Sequence, residues 1–160
     1  MKIGIISDTH DNVGNILKAV KVFQAKGVEF VVHCGDVVSP ASAKFFNGVK
    51  IKLVKGNCDG DTEHIGEKLE SIAGEYLGES AELSIDGKQI AAYHGQDKAK
   101  LDKIIKSGQY RYVLTGHSHK LRDEVVGKTR VLNPGAHYYG SEGTIMILDL
   151  KEDKVEVIRL

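Results

Sequence analysis

Apolar residues recur along this chain in two rhythms, a strand-like alternation and a helix-like spacing. Lys2 to Ile6 is a short apolar run that stops abruptly at Ser7-Asp8-Thr9-His10, which predicts a strand feeding a loop. Val13, Ile16, Leu17, Val20 and Phe23 then recur at helical spacing and predict an amphipathic helix. Asp11 or Asn12 suits its N-cap, and Gly27 its end. A second strand over Glu29 to His33 runs into Cys34-Gly35-Asp36, and a short helix begins near Pro40. A third strand, Ile51 to Val54, runs into Gly56-Asn57-Cys58-Asp59. Strands that alternate with helices predict parallel pairing in a layered α/β arrangement.

After a helix through Glu67 to Ala73 the rhythm changes. Ala81 to Ile85 and Gln89 to Tyr93 flank Asp86-Gly87, a strong hairpin signal. A helix over Lys98 to Lys106 leads to a strand at Tyr112 to Thr115, which ends at Gly116-His117-Ser118-His119. Further hairpins are predicted at Val125–Val126 with Thr129 to Leu132, and at Thr144 to Leu150 with Lys154 to Arg159. Two facing sheets flanked by helices, in one domain spanning residues 1–160, are the expected product.

Charge excludes more than it suggests. Lys+Arg and Asp+Glu are both 22, so no global basic field draws in nucleic acid. The first apolar run breaks too early for a signal peptide, and no run is long enough to span a bilayer. Both features favour the cytoplasm. Cys34 and Cys58 read as reduced thiols.

Five segments carry metal-ligand residue types just past a predicted strand: Asp8-Thr9-His10, Gly35-Asp36, Gly56-Asn57, His94-Gly95 and Gly116-His117-Ser118-His119. Strand ends of an α/β sheet converge on a crevice, so these loops can meet. Asp-x-His, Gly-Asp and Gly-Asn alone are ordinary turn chemistry. His94 alone reads as a satisfied structural residue, and Gly-His-Ser-His is the stronger piece because alternating His residues in a loop are uncommon as packing. Five together are a metal-site signal. Carboxylate, imidazole and amide oxygen accept Mn, Fe, Ni, Co or Zn, manganese being the first expectation. Asp36 is the best candidate to bridge two ions. His33 reads as a buried, hydrogen-bonded residue rather than a ligand, and His64 as a surface residue. His137 fits either a substrate cleft or a solvated loop. Cys34 fits a packed position. Tyr138 and Tyr139 fit either an interface patch, as in a homodimer, or loop packing.

The order D-x-H, G-D, G-N-x-D, H-G, G-H-x-H resembles the calcineurin-like metallophosphoesterase superfamily. The opening Ile-Ser-Asp-Thr-His-Asp-Asn, the Gly-Asn-Cys-Asp variant and Asn133-Pro134-Gly135 resemble its small bacterial and archaeal phosphodiesterase branch. The resemblance implies a β-sandwich of two mixed sheets with flanking helices, a dinuclear site and a small phosphate-ester substrate. It implies that Asp8, His10, Asp36 and His119 hold one divalent ion, and that Asp36, Asn57, His94 and His117 hold the other.

Many relatives carry His where this chain has Cys58, and there it serves the transition state. A thiol is a poorer general acid, so leaving-group catalysis is not transferred to Cys58. Asp59 is expected to act beside it as a supporting carboxylate. The reading that follows is hydrolysis of phosphodiesters by in-line attack of a metal-bridging hydroxide. A phosphomonoesterase is the second enzyme reading, and a silent scaffold like the retromer subunit of the same fold is the reading from another class.

Overall fold

A computed structural model describes residues 1–160. The chain runs β1 (Lys2–Ile6), α1 (Val13–Lys26), β2 (Phe30–His33), α2 (Pro40–Ala43) with a 3-10 turn at Lys44–Phe46, β3 (Ile51–Leu53) and α3 (Thr62–Glu70). It continues through β4 (Glu75–Tyr76), β5 (Ser80–Ile85), β6 (Lys88–Tyr93), α4 (Lys98–Lys106), β7 (Tyr112–Leu114), β8 (Leu121–Val126), β9 (Thr129–Pro134), β10 (Thr144–Asp149) and β11 (Lys154–Arg159).

These strands form a six-stranded sheet ordered β11-β10-β1-β2-β3-β4 and a five-stranded sheet ordered β5-β6-β7-β9-β8. Both are mixed. β1, β2, β3 and β4 run parallel, β10 pairs antiparallel with β1, and β11 pairs antiparallel with β10. β6, β7 and β9 run parallel, with β5 and β8 antiparallel at the edges.

Side-chain alternation explains why the sheets stack. Ile3 and Ile5 of β1, Val32 of β2 and Met146 and Leu148 of β10 meet Ile90, Ala92, Tyr112, Leu114 and Leu132 in one buried cluster. Their neighbours Ile6, Val31, Ile145 and Ile147 face the other way, onto Ile16, Ala19, Val20 and Phe23 of α1. On the far side of the second sheet, Ala91, Val113 and Val131 pack with Ile105 of α4. Central strands buried on both faces read as continuous apolar runs, which is why β1 carries no visible alternation.

Helix ends follow their local chemistry. The Asn12 side chain accepts from the Asn15 N–H at the start of α1, and Gly27 closes the helix at φ 64°. Leu17 departs from the expected apolar face: it is 44% exposed, and Ala19 takes the buried place instead. α3 begins earlier than the apolar pattern indicates, because Asp61 caps it through the His64 N–H. It also ends earlier, before Ala73 at φ 58°. The two-residue β4 is too short to leave a periodic signal.

The consequence for function is directional. β1, β2, β3, β6 and β7 all end on the same side of the sandwich, so the loops after them form one surface. At Gly4 in β1 an added Cβ would lie 2.6 Å from Phe23 Cε1 and 3.1 Å from Val31 Cγ2. Gly4→Ala should therefore cost about 1–3 kcal/mol through overpacking. Urea unfolding measures this, and a parental midpoint would contradict the packing described.

Candidate metal centre

The loops after five strands bring together all seven predicted ligand residues. Asp8 follows β1 and is fully buried. Its Oδ2 accepts from Ser7 Oγ at 2.5 Å and from the His117 N–H at 3.1 Å. Its Oδ1 is buried without a hydrogen-bond partner and faces His119 Nε2 at 3.1 Å, His10 Nε2 at 3.8 Å and His94 Nε2 at 4.0 Å. Asp36, after β2, is divided in the same way. Its Oδ1 accepts the Cys58 N–H at 2.8 Å, and its Oδ2 faces His94 Nε2 at 3.4 Å and His10 Nε2 at 3.5 Å. Each carboxylate thus spends one oxygen on the fold and turns the other inward.

The second half of the cluster is built around an amide. Asn57 Oδ1 lies 3.0 Å from His94 Nε2 and 3.0 Å from His117 Nδ1. His94 Nδ1 is 2.7 Å from the Cys34 carbonyl, to which only an N–H can donate. The neutral ring therefore presents a bare Nε2 lone pair to Asn57 Oδ1 and Asp36 Oδ2, and three electron-rich atoms meet without a proton between them. A proton or a metal cation relieves this. Burial alone would lower the His94 pKa, yet Asp36 outweighs burial and raises it. Burial likewise opposes ionisation of Asp36, but His94 and the Cys58 N–H hold its carboxyl well below the usual range. His10 Nε2 is also buried without a partner. These orphaned, converging donors fit divalent cations. Asp8 with His10 and His119, and Asp8 with Asp36 and His94, each bring their ligand atoms within 4.8 Å of one another.

The backbone is strained at these positions. Asp8, His10, Asp36, His117 and His119 have φ of 53°, 41°, 62°, 63° and 58°. Val38, β-branched, adopts φ 81° in the same loop as Asp36. Such conformations cost on the order of 1–3 kcal/mol each and persist where the surroundings over-determine them.

Asp59 is one of those determinants. It is 1% exposed, and its carboxylate accepts from the N–H groups of Gly56, Asp36 and Val38 at 2.8, 2.9 and 2.7 Å. It joins the loop after β3 to the loop after β2 and makes no contact with open space. Cys58 is exposed at the rim, and its thiol is grouped with His10 and Asp36. Burial and the charge of Asp36 push it up to about 11. Cys34 is packed between the sheets.

His64 is exposed and bound to Asp61, as a surface residue would be. His137 is neither solvated nor in the cleft. It is fully buried, its N–H donates to the Asp8 carbonyl, and burial lowers its pKa to about 4. The Tyr138 ring lies 5.2 Å from that of His119, while Tyr139 is 84% exposed. Three supporting residues were not singled out in the sequence. Thr115 Oγ1 donates to the His94 carbonyl, Asn133 Nδ2 donates to the Gly116 carbonyl, and Ser7 holds Asp8. Ser7 and Asn133 had a signal, as parts of the Ile-Ser-Asp-Thr-His-Asp-Asn and Asn133-Pro134-Gly135 motifs, and Thr115 had none.

At Gly56 an added Cβ would collide with Asp36 Oδ1 and Asp36 N, and hydrogen bonds hold both atoms. Gly56→Ala should lower stability by about 1–3 kcal/mol. Gly60→Ala, with open space around the new methyl, should not. Thermal unfolding in chelator compares the two, and equal midpoints would refute the close approach.

Residues 1–153 match the calcineurin-like phosphoesterase superfamily domain. A phosphodiesterase of Methanocaldococcus jannaschii is 38% identical over 165 aligned positions, covering 100% of this chain and 99% of the relative. The structure of an archaeal phosphodiesterase superposes with a TM-score of 0.94 at 37% identity, covering 100% of both chains. Zinc-complexed Vps29 of Entamoeba histolytica shares the fold alone, with a TM-score of 0.65 at 19% identity over 100% of this chain and 98% of that one. A family match over nearly the whole chain, on the sandwich and loops just described, makes this protein a member of the calcineurin-like phosphoesterase superfamily.

Proposed function

We propose that this phosphoesterase hydrolyses phosphodiesters with two divalent metal ions, manganese foremost, held in the cluster around Asp36. The observation that carries this reading is the pair of inward carboxylate oxygens, Asp8 Oδ1 and Asp36 Oδ2, surrounded by imidazole nitrogens, with Asp8 Oδ1 buried and making no hydrogen bond. Asp8, His10 and His119 would hold one ion and Asn57, His94 and His117 the other. Asp36 Oδ2, set between His10 and His94, would be shared. When bound, such ions lower the pKa of water toward neutrality and neutralise charge on the phosphoryl oxygens.

The chain's own residues do the rest. Asp8, Asp36 and His94 form a buried floor, while His117, His119 and Asn57 form an exposed rim that a phosphate ester can reach. The Cys34 carbonyl fixes the His94 tautomer, and Asp59 fixes the peptides on either side of Asp36.

Two clefts flank the Gly116–His119 turn. One of about 270 Å³ lies beside His119 with Leu121 and Tyr138 in its wall, and one of about 360 Å³ lies beside His117 with Gln96, Lys98 and Arg122. A diester has two substituents to seat and a monoester one, so the paired clefts favour the diester. The relative's name, phosphodiesterase, supports the same choice. A silent scaffold would have no use for buried polar atoms left unpaired.

Asp36→Asn should lower kcat/KM for an aryl phosphodiester by about 100-fold or more and release at least one manganese equivalent. Metal analysis with steady-state kinetics tests this, and activity within a few-fold of parental would sink the assignment.

Cys58 stands where leaving-group chemistry needs a proton donor, and a thiol held near 11 donates poorly at neutral pH. Aryl diesters, whose leaving groups depart unaided, should therefore be cleaved far faster than alkyl diesters. Cys58→His should raise rates for poor leaving groups more than for good ones. A plot of log kcat/KM against leaving-group pKa reads this directly. A shallow slope shared by both proteins would show that the proton comes from elsewhere.

A further inference from the structure

His33 is the last residue of β2, is fully buried, and has no part in the chemistry above. Its ring lies between the two loops that carry the inward-facing carboxylates. The Gly35 N–H donates to His33 Nδ1 at 3.1 Å. A ring nitrogen that accepts carries no proton, so the neutral imidazole keeps its proton on Nε2. That N–H faces Thr9 Oγ1 at 2.9 Å. Thr9 separates Asp8 from His10, and Gly35 precedes Asp36. One ring therefore joins the loop after β1 to the loop after β2, one residue away from three candidate ligands.

The surroundings hold the ring in this state. Phe46 packs edge-on against it, with centroids 5.4 Å apart at 87°. Burial, with His137 and His94 nearby, lowers its pKa to about 3, which keeps the tautomer in the neutral range. The same loops are already joined by backbone bonds: the N–H groups of Asp8 and His10 donate to the Gly35 and Asp36 carbonyls at 2.9 and 3.0 Å. Those bonds align the loops. The His33 ring adds a side-chain spacer between them, and it fixes the Gly35 peptide that leads into Asp36.

We propose that His33 is a positioning residue that sets the separation of the Asp8 and Asp36 loops, and through it the metal affinity of the cluster, without touching metal or substrate. The inference rests on the metal-centre reading above. A residue that merely fills the core beside Phe46 would stabilise the fold and leave metal affinity alone, so the two quantities have to be read separately.

The experiment titrates chelator-stripped protein with Co²⁺, followed by visible absorption, and measures the unfolding midpoint of each metal-free variant in parallel. His33→Leu should weaken Co²⁺ binding about 10–100-fold. Thr9→Val replaces the hydroxyl that the ring holds with a methyl. It should weaken binding in the same direction, and the metal-free midpoint should fall as well, because the buried His33 Nε2–H loses its acceptor. The double variant should bind no more weakly than His33→Leu alone, because the two changes break one contact. His33→Asn, which keeps an acceptor near the Nδ1 position, should recover part of the loss.

Parental Co²⁺ affinity in His33→Leu, with only the unfolding midpoint lowered, would overturn the inference. If His33→Leu does not fold, Thr9→Val decides: parental affinity overturns it, and weakened affinity upholds it. A parental protein that binds no Co²⁺ would instead overturn the metal-centre reading, and this inference with it.

Discussion

Two carboxylates of like charge, Asp8 and Asp36, sit almost without solvent access on one floor, their inward oxygens and His94 Nε2 within 4.8 Å of one another. At that separation, and at an effective dielectric of about 20, the repulsion is on the order of 3 kcal/mol. The fold keeps both in place by giving each outer oxygen fixed donors: Ser7 and the His117 N–H for Asp8, the Cys58 N–H for Asp36. What remains is negative charge aimed at a small space ringed by imidazoles. The fold carries a cost in stability at a cluster that divalent cations would relieve.

The sandwich makes that arrangement tolerable. Left-handed conformations at Asp8, His10, Asp36, Val38, His117 and His119 need loops that cannot relax, and each loop leaves a central parallel strand buried on both faces. Cross-links between loops complete the frame. Asp59 joins the third loop to the second, the backbone and His33 join the second to the first, and Asp8 joins the first to the fifth. Asn133 and Thr115 then brace the fourth and fifth loops from beneath. Rigidity of this kind would suit a site that holds divalent metal and a phosphate in fixed relation.

Much of this was legible in the chain, and the reasons are physical. Strands that end in Gly-Asp, Gly-Asn or Gly-His announce themselves because glycine is needed where backbones and carboxylates touch, as at Gly56 and Gly116. α4, bounded by Asp97 and carrying a regular apolar stripe, is found at its predicted limits. Other features had no local signature. β4 is a two-residue pairing that exists only because β3 is beside it. Leu17 lies on the helical pattern but outside the buried arc, a matter of how α1 is rotated on the sheet. His137 looks like a loop residue in sequence, and it is buried because its backbone is tied to Asp8 and to Asn12. Thr9 and His33 are ordinary strand-end residues until the tautomer of the ring is worked out from its two partners.

Sharing of Asp36 between two proposed ions is open to anomalous diffraction from crystals grown with manganese. Two peaks per chain are expected, one among Asp8, His10 and His119 and one among Asn57, His94 and His117, with Asp36 in contact with both. A single peak, or a second one held by residues outside these sets, would refute the shared site.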